Sequence, residues 1–273
     1  MIYVRPTMPM KLGIIGCGKM GTALLRGILA RGICAESDVC ASDCVTAATA
    51  ALQEVHPDVT IGTNEDVAGH SDAMLLCVKP HQIAETLQQV AAAGGDPLVI
   101  SIAAGVSLEK MQAAMGPKGR IARVMPNTPA LIGKGAAAFS LGSQCTEADG
   151  QTVTALLGAV GHVEQVPESL LNAVTGLSGS GPAYVYTIIE ALADGGVVMG
   201  LSKPQALRLA AQTVAGAAEM VIQTGEHPAQ LRDAVTSPGG TTIAALAKLE
   251  EKGLRSALIE AVRTAAMRAD ELG

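Results

Sequence analysis

Three glycines at the spacing GxGxxG, Gly16, Gly18 and Gly21, are the first residues whose arrangement could do chemistry. The apolar run at residues 12–15 precedes them and reads as a buried strand; residues 22–31 follow and read as a helix. In that order the spacing has a mechanism. Gly16 permits the tight strand-to-helix turn, Gly18 has no Cβ to keep a diphosphate from the backbone, and Gly21 lets the helix pack close to the strand. The helix start then faces the phosphates with unpaired N–H groups. The bland alternative is an ordinary turn, since glycine supplies 31 of the 273 residues. The flanking strand and helix, with an acid 22 residues past Gly21, decide for dinucleotide binding.

That acid is Asp43, placed where a dinucleotide fold holds its ribose. A carboxylate there bonds the ribose hydroxyls of NAD and repels the extra phosphate of NADP. Ser42 and Asn64 could instead donate to a phosphate, and Asp43 could be a solvated turn residue, so the choice stays open.

Two later stretches suggest an anion site. Residues 237–242, SPGGTT, bring Ser237, Gly239, Gly240, Thr241 and Thr242 to a helix start. Free N–H groups and the helix dipole make such a start a ready carboxylate seat. Residues 176–184, GLSGSGPAY, read as a second Gly/Ser-rich helix start. Simple helix capping is the plain reading of both.

The elements that must position these groups follow from punctuation and period. Strands are expected at 38–43, 59–62, 73–78, 98–102 and 120–124, alternating with helices at 44–54, from Thr63, at 81–93 and from Ser107 to about Met115. The run at 73–78 is apolar throughout, as a strand covered on both faces should be. This alternation predicts a doubly wound, mostly parallel sheet of the Rossmann type. Ligands bind at the C-terminal ends of such strands, where Lys79 and Pro80 follow one strand and Ala103, Ala104 and Gly105 another. Small residues there would admit a flat nicotinamide, whereas a lone Lys79 reads as a surface residue. Met125, Pro126, Asn127, Thr128 and Pro129 form a rigid turn whose central amide can both donate and accept. Residues 136–141 and 159–166 read as edge strands around a helix at 147–157.

After about residue 166 strand signals stop. Five helices are expected: from Pro182 to about Met199, from Ser202 to Gly225, from Pro228, over 241–252, and from Leu254 onward. The division expected is an extension over 1–10, a dinucleotide-binding domain over 11–166 and a helical domain over 167–273. So narrow a helical array has little interior, which predicts burial against a second copy. The extension is expected to be disordered, or to reflect a start upstream of Met8 or Met10.

Composition narrows the function classes. Apolar residues make up 49% and aromatics 1%, with no Trp, so the core must be built from Ala, Val, Leu, Ile and Met. A net charge of −6 argues against a general nucleic-acid binder and gives no bulk attraction for an anionic substrate. No apolar run is long enough to span a membrane. Six cysteines without a CxxC pair read as small hydrophobes in a reducing compartment, the cytoplasm or an organelle matrix, and not as metal ligands.

From Lys11 to the C-terminus the sequence resembles the pyrroline-5-carboxylate reductases. The resemblance is carried by IGCGKM at 15–20, VKP at 78–80, SIAAG at 101–105, VMPNTP at 124–129, VTGLSGSGPAY at 174–184, GEHP at 225–228 and VTSPGGTTI at 235–243. It implies hydride transfer from NADPH or NADH to the C=N carbon of 1-pyrroline-5-carboxylate, giving L-proline in the last step of proline synthesis. It also implies a homodimer with interlocked helical domains, assembled into a ring of dimers. Ile15, Gly16, Cys17, Gly18, Lys19 and Met20 would line the cofactor diphosphate. Ser42, Asp43 and Asn64 would surround the adenine ribose, and Cys77, Val78, Lys79, Pro80, Ala103 and Ala104 the nicotinamide half. The loop from Ser237 to Thr242 would hold the substrate carboxylate with Glu168 nearby, and Thr242 would bond the ring nitrogen. The sequence departs from many relatives at Asp43, where they carry Ser, Thr or a basic residue, and from some at Ala234, where they carry Asn.

Two other readings share the plan. A β-hydroxyacid dehydrogenase would need a catalytic lysine in the helical half, and Lys203, between Ser202 and Pro204, reads as an exposed cap neighbour. A non-catalytic nicotinamide sensor would keep the glycine turn but has no need of the loop at 237–242.

Overall fold

The computed structural model describes residues 10–272, so the extension expected over 1–10 falls, but for Met10, outside the described residues. The chain divides into two compact units: one runs to Gly179 and takes in the chain again from Ala265, and the other spans Ser180–Thr264.

The first unit alternates strand and helix. It contains β1 (Leu12–Ile15), α1 (Lys19–Ala30), β2 (Val39–Ser42), α2 (Thr46–Val55), β3 (Thr60–Ile61), α3 (Asn64–His70), β4 (Ala73–Leu76) and α4 (Ile83–Ala92). It continues with β5 (Leu98–Ser101), α5 (Leu108–Met115), β6 (Arg120–Met125), β7 (Gly135–Leu141), α6 (Glu147–Gly158), β8 (Gly161–Gln165) and α7 (Leu171–Val174). The eight strands form one sheet in the order β3-β2-β1-β4-β5-β6-β7-β8. Every pairing is parallel except β6 with β7. The order reverses between β1 and β4, which is where a doubly wound sheet binds its ligand.

The two-residue strand period divides the core. Leu12, Ile14, Leu75 and Ile100 face one cluster with Leu24, Leu25 and Ile28 of α1 and Val153 and Leu156 of α6. Ile15, Met74, Leu76 and Val99 face the other, with Val67 of α3, Leu87 of α4 and Met111 of α5. Burial on both faces explains the unbroken apolar strands. Residues 136–141, expected at an edge, form the interior strand β7, and the sheet ends at β8 and β3. The Thr128–Ile132 turn that joins β6 to β7 is too short for a parallel crossover, so β7 runs antiparallel to β6.

Local signals set the helix ends. Thr63 and Asp66 close a capping box at α3, and Ser107 caps α5 through the Lys110 N–H. The stretch at 176–184 does open a helix, at Gly181 with Ser180 as its N-cap, but its first half is already helical. Residues Thr175–Gly179 form a π turn that continues α7. The hydroxyls of Thr175 and Ser178 bond carbonyls four residues back, at Leu171 and Val174, and so remain with their own helix.

The second unit holds α8 (Gly181–Val198), α9 (Lys203–Thr224), α10 (Pro228–Ala234) and α11 (Thr241–Glu251), and α12 (Leu254–Leu272) begins in it. Pro182 sits in the first turn of α8, and Gly225 ends α9 in the left-handed conformation. The buried apolar cluster of this unit is three alanines, Ala193, Ala206 and Ala210. Large apolar side chains are exposed instead, among them Val198 and Met199 at 83% and Ile222 at 75%.

Candidate active site

In the first unit the site grows from the turn after β1. Gly16 has φ +100, and a Cβ there would lie 2.6 Å from the carbonyl oxygen of Cys77. The turn therefore lies against the end of β4, and the Cys77 N–H donates to the Ile15 carbonyl at 2.7 Å. A Cβ on Gly21 would lie 2.1 Å from the Gly16 oxygen, so only glycine lets α1 sit this close. A Cβ on Gly18 would meet nothing within 4 Å, so its backbone faces open space. Gly18 is also the N-cap of α1 and provides no side-chain cap, and the first turn carries no acid. Uncapped N–H groups at Lys19 and Met20 beside open space fit a diphosphate. A groove of about 550 Å³ runs beside this turn, bordered by Gly18, Lys19, Thr22 and Arg26.

Asp43, just past β2, reaches back to the same turn. Its Oδ2 accepts the Cys17 N–H at 2.7 Å and its Oδ1 accepts the Val45 N–H at 2.8 Å. Burial, and secondarily the Asp43 charge, push the Cys17 thiol up to about 12, so it stays protonated. Ser42 is buried. The Asn64 amide donates to Gln89 Oε1 at 2.6 Å. At the other strand ends Cys77 and Val78 are half-buried, Lys79 and Pro80 are exposed, Ala103 is buried and Ala104 is exposed. The turn from Ile15 to Met20, Asp43 and Cys77 are thus brought together around the β1–β4 switch point.

Glu168 has partners that spacing did not suggest. Its Oε1 accepts the Leu108 N–H at 2.7 Å and an Arg123 N–H at 2.8 Å. Arg123, on β6, also donates to Asn172. Sequence reasoning missed Arg123; a cation in the interior of a strand, between Ala122 and Val124, was the available signal. Asn127 uses both ends of its amide, donating to the Ser178 carbonyl at 3.1 Å and accepting the Ala136 N–H at 2.9 Å.

In the second unit, residues 237–240 form a turn closed by the Gly240 N–H on the Ser237 carbonyl at 3.1 Å. Pro238 and then Gly239, with φ +66, follow the type II pattern. Gly240 caps α11 without a side-chain hydrogen bond, so the N–H groups at its start are uncapped by side chains, with Thr241 exposed and Thr242 half-buried beside them. Lys203 is exposed and ion-paired with Asp194.

A doubly wound sheet with a glycine turn at its switch point, followed by a helical unit, defines a dinucleotide-dependent oxidoreductase. The family described as "Pyrroline-5-carboxylate reductase dimerisation" matches residues 168–272, and one described as "NADP oxidoreductase coenzyme F420-dependent" matches residues 11–105. A pyrroline-5-carboxylate reductase of Synechocystis is 47% identical over 97% of this chain and 99% of its own. One from Arabidopsis thaliana is 43% identical over 98% of this chain and 97% of its own. Among solved structures, a pyrroline-5-carboxylate reductase from Coxiella burnetii superimposes with a TM-score of 0.93 at 34% identity, covering 97% of this chain and 99% of that one. A Plasmodium falciparum pyrroline carboxylate reductase with NADP bound gives 0.84 at 31% identity, covering 97% and 98%. The chain belongs to the pyrroline-5-carboxylate reductase family. It is an oxidoreductase that transfers hydride from NAD(P)H to the C=N bond of 1-pyrroline-5-carboxylate, giving L-proline, and it forms a homo-oligomer. Among the described residues no helix is long and apolar enough to cross a membrane.

Proposed function

We propose that the substrate of this reaction is held at the start of α11. The observation that carries the proposal is a helix start uncapped by side chains, behind a glycine turn, with two threonine hydroxyls beside it. The N–H groups at 241 and 242 hold the carboxylate, the Ser237 hydroxyl closes over it, and Thr242 bonds the ring nitrogen. Ile15, Gly16, Cys17, Gly18, Lys19 and Met20 hold the diphosphate, and Asp43 faces the adenosine ribose. Cys77, Val78, Lys79, Pro80, Ala103 and Ala104 line the nicotinamide half.

A cyclic imine is basic enough to be protonated near neutral pH. The bound reduced nicotinamide supplies a hydride to the ring carbon, and the C=N π pair becomes the amine lone pair. No alkoxide forms, so no strong general acid is needed, which agrees with a loop of hydroxyls and amides. Thr242 orients the ring nitrogen and the amides fix the carboxylate, so the chain acts by holding the reacting atoms within about 3–3.5 Å of each other. Glu168 has a positioning role in this scheme: through Leu108 it fixes the start of α5.

Residues 11–166 serve as the dinucleotide-binding domain and residues 167–273 as the helical dimerisation and substrate domain. The second unit's exposed apolar side chains support a dimer of interlocked helices, and the dimers assemble into a ring. Six unpaired cysteines suit a reducing compartment such as the cytoplasm. The test is the loss of NADH or NADPH absorbance on adding the cyclic imine, with a hydroxy acid and oxidised cofactor as the contrasting pair. Turnover is expected with the imine; turnover with the hydroxy acid alone would overturn the reading.

A further inference from the structure

The segment from Gly32 through β2 and β3 to the end of β4 carries no lysine or arginine. Between Arg31 and Lys79 the sequence has eight carboxylates. The two histidines in that span are occupied: His56 pairs with Glu36, and His70 bonds the Asp38 carbonyl. In a doubly wound fold this region surrounds the adenosine ribose.

Asp43 is fixed there. The Cys17 and Val45 N–H groups hold one carboxylate oxygen each, so the side chain cannot turn away without losing both bonds. Each oxygen keeps a further lone pair that can accept from a ribose hydroxyl. A 2′-phosphate in the same place would meet a carboxylate with no guanidinium or ammonium between residues 32 and 78 to offset it, Lys19 at the α1 turn being given to the diphosphate, and those are the groups that recognise phosphate. The neutral donors do not replace a cation: Ser42 is buried, and the Asn64 amide spends one of its two N–H groups on Gln89.

We propose that Asp43 makes this chain select NADH over NADPH. The inference rests on the cofactor placement given under the proposed function, and it concerns the preference alone.

Binding is read first, without substrate. With no tryptophan in the chain, the fluorescence of NADH and of NADPH reports on each titration directly. Wild-type protein should bind NADH at least ~10-fold more tightly, since uncompensated like charges discriminate strongly between ligands. Equal or tighter NADPH binding would overturn the proposal. Asp43→Asn retains an oxygen that can accept the Cys17 N–H but removes the charge; Asp43→Ser also shortens the side chain. In both variants the Kd for NADPH should fall while that for NADH rises, with KM following Kd. If both dissociation constants rise together, Asp43 only braces the turn and the proposal fails. A chain that binds NADH selectively yet does not reduce the imine would count against the proposed function and leave the preference standing.

Discussion

Thr242 occupies the second position of α11, where no side chain caps the helix. Its hydroxyl is therefore not spent on its own helix start, unlike that of Ser107 at α5. Thr242→Ala should lower kcat/KM by one to two orders of magnitude, about 1.4–2.7 kcal/mol of lost transition-state stabilisation. Thr242→Ser should recover most of it. Initial rates with saturating cofactor test this, and an unchanged kcat/KM for the alanine variant removes Thr242 from the mechanism. The residue types at this loop were legible in the sequence because turn chemistry is local. The bonds from Asp43 to Cys17 and from Glu168 to Leu108 were not, because they join residues 26 and 60 positions apart and leave no periodic trace.

Elements with strong local signals matched their expected bounds. The helix expected from Ser107 to about Met115 is α5, and the one ending at Gly225 is α9. Sheet position was less legible. An interior antiparallel strand and an edge strand share the same two-residue alternation, so β7 gave no local sign of lying between β6 and β8. The π turn after α7 was hidden for a related reason: glycine and serine mark a helix start equally well. The packing of α1 against β1 offers a test of element-scale geometry. A Cβ on Gly21 would meet the backbone oxygen of Gly16 at 2.1 Å, and backbone cannot yield as a flexible side chain can. Gly21→Ala should cost about 1–3 kcal/mol of stability and weaken cofactor binding, as overpacking does. Denaturant melts and cofactor titration measure both, and an unaffected variant would show that α1 can shift outward freely.

At the scale of the whole molecule, the second unit cannot owe its stability to an interior of three alanines. Burial against another copy accounts for the exposed Val198, Met199 and Ile222. Light scattering should give at least twice the chain mass of 27.6 kDa, and the Tm should rise with protein concentration. A monomeric mass with a concentration-independent Tm would contradict this. Stability should also fall in alkali. Burial raises the Cys17 and Cys34 thiols from 9.0 to about 12 and about 11. Above pH 9 these thiols ionise in the unfolded chain but not in the folded one. Their contribution is complete below pH 9 and is lost as pH rises toward 11 and 12. Cys34→Ala should flatten that loss between pH 9 and 11, as read from Tm against pH.

All of this chemistry requires the imine's carboxylate to sit at the start of α11. A crystal structure with oxidised cofactor and L-proline measures that directly. The account predicts the carboxylate within hydrogen-bonding distance of the N–H groups at 241 and 242 and the ring nitrogen beside the Thr242 hydroxyl. Proline bound anywhere else, with that helix start left to solvent, would contradict it.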